Sequence, residues 1–114
     1  MEMKIEALNA TALRIFSALS AGQSVGPESS MLKCAGSEAQ QAISELSLEA
    51  VGGYAAPFVQ DTFAVARAGA NSDLATPDYA GPIAPSYFNY RKTSIYAGSN
   101  EIQRNIMSKM VLGL

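Results

Sequence analysis

Two long stretches of three- and four-residue apolar periodicity, separated by a handful of residues, restrict this chain to a helical fold. The first runs from Glu2 to about Ala21 and sets Ile5, Leu8, Ala12, Ile15 and Leu19 on one stripe. Glu2 and Glu6 occupy its N-terminal turns, where the helix dipole favours acid, and Gly22 ends it. At 1.5 Å per residue such a helix is roughly 30 Å long. After Gln23-Ser24-Val25-Gly26, Pro27 stands at the position where a helix accepts proline, followed by Glu28. From there to about Val51, Leu32, Ala35, Ala39, Ile43, Leu46 and Ala50 share one face. Lys33, Glu38, Gln41, Glu45 and Glu49 lie largely off it. Cys34, Ala35, Gly36, Ala39 and Ala42 are small enough to admit another helix closely, and Gly52-Gly53 stops the run. Two long helices with a short joint predict an antiparallel hairpin.

The remainder is less periodic. Phe58 to Ala68 reads as a shorter helix, and Asn71 to Pro85, with Pro77, Gly81, Pro82 and Pro85, reads as a loop. Tyr79, Tyr87, Phe88 and Tyr90 give that region aromatic anchors, which predicts packing against the bundle. Ser86 to Ile95 reads as a helix ending near Tyr96. A glycine turn at Gly98 then leads into a final helix, with Ile102, Ile106 and Met110 on an apolar stripe. Ser99 or Asn100 can cap that helix, and Gln103 holds the reach-back position of a capping box counted from Asn100. The first N–H groups of a helix have no partner within it, and the dipole adds positive charge there, so a phosphate or diphosphate is a natural guest. On these features alone an ordinary cap is the favoured reading, since most helices begin with Gly, Ser or Asn and bind nothing.

Composition removes most other chemistries. There is no histidine, which excludes His-based triads, the usual zinc sites and the commonest general base. The single cysteine, Cys34, cannot form an internal disulfide; among Met31, Leu32 and Ala35 it reads as a buried, inert thiol in a reducing compartment. A net charge of −2 with scattered basic residues argues against nucleic acid and anionic membranes as partners. No apolar run approaches the ~20 residues of a membrane span, and Met1-Glu2-Met3-Lys4 does not open a signal peptide. A chain of 114 residues is one domain or a piece of one, and 48% hydrophobic against 16% charged content predicts an apolar surface suited to an oligomer or to a larger body.

The run Tyr96-Ala97-Gly98-Ser99-Asn100-Glu101-Ile102-Gln103-Arg104-Asn105-Ile106, with Lys109, Val111, Leu112, Gly113 and Leu114 behind it, resembles the C-terminal signature of the acyl-CoA dehydrogenases. Gly26-Pro27-Glu28-Ser29-Ser30-Met31-Leu32-Lys33, Gly36-Ser37-Glu38 and Glu45 to Gly52 resemble the middle of that family's C-terminal helical domain; residues 54–86 match loosely. The resemblance implies an all-α up-down bundle lacking its first long helix, residues 1–114 being a partial C-terminal domain without the family's N-terminal helical and middle β domains. It implies a flavoenzyme that removes two hydrogens from the α and β carbons of an acyl-CoA thioester. FAD takes the β hydrogen as hydride, a carboxylate takes the α proton, and electron-transfer flavoprotein reoxidises the flavin. It also implies a homo-oligomer, dimer or tetramer, in the cytoplasm or, in a eukaryote, the mitochondrial matrix.

Carried over position by position, the resemblance places no catalytic residue in this chain. In the family's best-known branch the catalytic glutamate stands directly between the Tyr and the Gly of the signature; here that position is Ala97, which cannot accept a proton. Other branches supply the carboxylate from the preceding bundle helix. Ser99 matches a hydroxyl residue near the flavin phosphates, Gly98 a glycine that lets substrate and flavin approach the backbone, and Glu101 a position along the adenosine side of FAD. With Asn100 these form the implied cofactor-binding set. Tyr96, with Gly98, is implied to line the acyl thioester, and Ile95 to neighbour it. Glu49, Gly52 and Gly53 resemble a segment that meets the flavin of a neighbouring subunit, although many members have glutamine where Glu49 stands and the two glycines equally suit a cap and a turn. Arg91 and Arg104 can balance phosphate charge or form ion pairs. Two readings follow: a part of an acyl-CoA dehydrogenase, inert alone, or a stand-alone helical oligomerisation module that lost catalysis.

Overall fold

The computed structural model describes residues 1–57, 76–77 and 79–113. Four α-helices appear among them: α1 (Glu2–Ser20), α2 (Glu28–Val51), α3 (Ile83–Tyr90) and α4 (Asn100–Leu112). Single 3₁₀ turns follow α2 at Gly52–Ala55 and α3 at Arg91–Ser94. No strand occurs among the described residues, and none of their helices is long and apolar enough to cross a membrane. The expected Phe58–Ala68 helix lies outside the described residues, as does much of the Asn71–Pro85 loop.

The chain divides into two units, and α2 runs through both. The first unit holds Met1–Gln40 and Lys92–Leu114. Within it α1 stops where its sequence says it should. Gly22 takes a left-handed φ of 76°, its N–H bonds Leu19 O at 3.0 Å, and Gln23 N–H bonds Ala18 O at 3.0 Å. This is the Schellman pattern, which satisfies the last carbonyls of the helix. Of the predicted α1 stripe, Leu8, Ala12 and Ile15 are half-buried, together with Thr11 and Ala18, while Ile5 and Leu19 stay exposed. The buried face is rotated toward the smaller side chains.

The same rotation occurs on α2. The expected apolar face is buried only at Ala39; Leu32 and Ala35 are half-buried, and Ile43, Leu46 and Ala50 face out. The buried seam is instead Ser30, Cys34, Ser37 and Ser44, with Gln41 half-buried between the last two. Its alternating spacings of four and three residues keep one line along the helix. Small hydroxyl residues serve there because each can return its hydrogen bond to its own helix: Ser37 Oγ donates to Cys34 O at 2.9 Å and Ser44 Oγ to Gln41 O at 2.7 Å.

The second unit spans Gln41–Arg91. α3 begins three residues before the expected Ser86 and tightens into the 3₁₀ turn after Tyr90. Pro85 does not block this start, because it lies in the first helical turn, where its missing N–H would have no partner. The Gln41 amide donates to Arg91 O at 3.0 Å, and Arg91 Nη2 returns bonds to Gln41 O at 2.8 Å and Ser44 Oγ at 3.0 Å. The guanidinium also lies 4.3 Å from the centre of the Tyr87 ring, a stacking that fixes its plane. The aromatic anchors divide: Tyr87 and Tyr90 are half-buried, whereas Tyr79 and Phe88 are exposed.

Candidate functional site

The turn that delivers the chain into α4 is left-handed twice in succession. Ala97 has φ 58° and Gly98 has φ 84°. For Gly98 the conformation is free; for Ala97 it costs roughly 1–2 kcal/mol, since Cβ crowds the following carbonyl. The turn is held from above by Gln103, whose amide donates to Ala97 O at 3.3 Å. A Cβ added to Gly98 would meet that same amide nitrogen at 2.6 Å, so a side chain there would push Gln103 off.

Ser99, of the two possible caps, is the one used. It is extended at φ −62°, ψ 157°, and its Oγ accepts the Ile102 N–H at 3.4 Å. Gln103 is thereby a residue too far along for a capping box, and it reaches Ala97 O instead. Glu101 lies in the first turn and supplies the acid that the helix start favours. Its carboxyl is held below its ordinary value, first by its own backbone N–H and then by the Ser99 hydroxyl, with Arg104 and Lys33 adding smaller attractions.

Asn100 is buried and turned away from this turn, toward α2 within the same unit. Lys33 Nζ donates to its Oδ1 at 2.7 Å, and its Nδ2 donates to Ser37 Oγ at 3.0 Å. An ammonium can bond only the amide oxygen, which fixes the orientation of the amide. The Cys34 thiol donates to Asn100 O at 3.6 Å, so the lone cysteine is buried and used in packing. Asn100 thus locks the first residue of α4 onto α2. Lys33 and Ser37 are the partners that hydropathy did not reveal; the four-three spacing of Ser30, Cys34, Ser37 and Gln41 is the signal that marks the seam.

The other implied residues are distributed as follows. Ile95 and Tyr96 are exposed, at 69% and 52%, and present free apolar surface beside the turn. Arg104 pairs with Glu38 at 2.9 Å on an exposed face, and Arg91 is engaged inside the second unit. Glu49 is exposed near the end of α2, and Gly52 turns left-handed at φ 56° into the 3₁₀ turn that Gly53 continues. These three belong to the second unit, whereas residues 96–101 belong to the first.

The donors at the start of α4 are those of an ordinary capped helix start. Backbone N–H groups of the first turn, the Ser99 hydroxyl and a residue without Cβ at Gly98 come together there, the kind of donors a helix start offers to an anion. The chain matches the family model described as acyl-CoA dehydrogenase, C-terminal domain, over residues 1–112. No curated protein and no solved structure matches it.

Proposed function

The chain belongs to the acyl-CoA dehydrogenase C-terminal domain family, and on that footing we propose that it is a part of an FAD-dependent enzyme that dehydrogenates the α,β bond of an acyl-CoA thioester. In this reading the chain holds cofactor and copies together and leaves proton abstraction to a group outside it. FAD, when bound, supplies the acceptor for the β hydrogen. The chain's own contribution is the Ser99 hydroxyl and the first N–H groups of α4, at Asn100 and Glu101, set against the flavin phosphates, with Gly98 leaving room for them. In this reading the exposed Tyr96 would cover the acyl thioester beside that turn.

The observation that carries this reading is the Ala97-Gly98-Ser99 turn, left-handed at two residues and followed by a side-chain-capped helix start. The position of the family glutamate holds Ala97, whose methyl group cannot take a proton. Ala97 is also what favours the second reading, a helical oligomerisation module without catalysis. FAD titrated into the purified chain and followed by flavin fluorescence separates them. Saturable binding that weakens about tenfold in Ser99→Ala, the loss of one hydrogen bond to a charged group, supports the flavin reading. No binding leaves the module.

A further inference from the structure

We infer that Gln103 is a latch on the Ala97–Gly98 turn: its side-chain amide holds Ala97 in the left-handed region, and without that bond the turn relaxes into a second conformation. The latch belongs to the turn itself and does not depend on the flavin reading given above.

The chain is fixed on both sides of the turn. Before it, the Tyr96 N–H donates to Lys92 O at 3.3 Å. After it, the Gln103 N–H donates to Ser99 O at 2.9 Å, and Ser99 Oγ caps α4. Only Ala97 and Gly98 lie between these anchors, and both have positive φ, 58° and 84°, as at the centre of a type I′ turn. A type II turn asks for positive φ at its second central residue alone. Gly98 can therefore keep its conformation while Ala97 moves to negative φ and sheds its strain. A hydrogen bond opposes that move: the Gln103 amide nitrogen donates to Ala97 O at 3.3 Å. The same nitrogen lies 2.6 Å from where a Cβ on residue 98 would stand, so the amide is seated against the bare Cα of Gly98. A long, exposed, neutral hydrogen bond and the left-handed strain of one alanine are of similar size, so loss of the bond tips the balance. Released, the Ala97 carbonyl and the Gln103 amide are both open to other partners. A group that competes for either one shifts the turn.

The test follows Ala97 by NMR in the parent chain, in Gln103→Leu, which keeps helix propensity and removes the donor, and in Gln103→Glu, which when ionised only accepts. At positive φ the amide and α hydrogens of one residue come closer than at negative φ, so Ala97 should show a strong intraresidue cross-peak in the parent. In both variants that peak should fall to the level of the alanines within α1. A urea-denaturation cycle with Ala97→Gly gives a second readout. In the Ala97→Gly background, which has no strain to release, Gln103→Leu should lower the folding equilibrium constant about fivefold, one net hydrogen bond. In the parent the loss should be only about twofold, because the turn relaxes and recovers its strain. An Ala97 peak that stays strong in both Gln103 variants, or equal losses in the two backgrounds, overturns the latch and leaves the turn held by the fold around it.

Discussion

Two residues at the start of α4 do opposite work. Asn100 is tied on three sides: its side chain takes the Lys33 ammonium and gives to Ser37, and its backbone carbonyl receives the Cys34 thiol. Asn100→Ala should cost about 2–3 kcal/mol, because it strips a part-buried ammonium and a buried hydroxyl of their partner at once. A urea melt that moves by less than about 0.5 kcal/mol would show that water replaces the amide without loss. Ala97 is strained where Asn100 is satisfied. Its φ of 58° is natural for glycine, so Ala97→Gly should raise stability by about 0.5 kcal/mol, the relief of left-handed strain less the greater freedom of glycine in the unfolded chain. A lower denaturation midpoint would mean that the methyl group packs usefully. Nothing in the sequence marks Ala97 as left-handed. The conformation comes from Gln103 pinning its carbonyl six residues away, a contact that local propensity does not contain.

At the scale of the element, α4 is charged in the right sense, with Glu101 in its first turn, Lys109 in its last and left-handed Gly113 closing it. The sign of its pH dependence follows from Glu101. Its folded carboxyl lies below its unfolded value, so the stabilisation is complete above about pH 4.3 and is lost as pH falls through the folded value. Thermal melts between neutral pH and pH 3 should therefore show a shallower acid decline in Glu101→Gln than in the parent; parallel curves would mean that the carboxylate does not hold the helix start. The helices themselves were legible in the sequence. Gly22, Pro27 and Gly52-Gly53 bound α1 and α2 to within a residue or two of the ends found. The faces were less legible. Hydropathy selects Leu32, Ala35, Ala39, Ile43, Leu46 and Ala50 on α2, but the buried line is Ser30, Cys34, Ser37 and Ser44. Serines that return their hydrogen bonds to the helix are nearly apolar in effect, and a close approach between backbones selects them for size over hydrophobicity. The cap was readable as far as Ser99 or Asn100; which of them caps and which is buried depends on Lys33 and Ser37, over sixty residues away in the chain.

For the whole molecule, the consequence of that small-residue seam is that large side chains remain outside. The buried hydrophobic residues among those described are Cys34, Ala39, Ala55 and Ala80, and no large side chain is fully buried. Leu13 and Phe16 on α1 and Ile102, Ile106 and Met110 on α4 are exposed instead. Isolated apolar residues are normal on a surface, but stripes that recur at helical spacing offer contiguous apolar area, which monomers rarely leave open. Burying one such side chain from full exposure is worth about 1.5–3 kcal/mol, so the α4 stripes of two copies would offset a sizeable part of the loss of free motion on association. The chain is therefore expected to self-associate through these faces. Light scattering across a dilution series should give a mass above 12.0 kDa that falls as the chain is diluted. Ile106→Lys, which introduces a charge at the middle of the α4 stripe, should shift that curve to higher concentration by about tenfold or more while leaving helical circular dichroism unchanged. A parent that is monodisperse at the monomer mass throughout would mean that these stripes do not join copies of the chain.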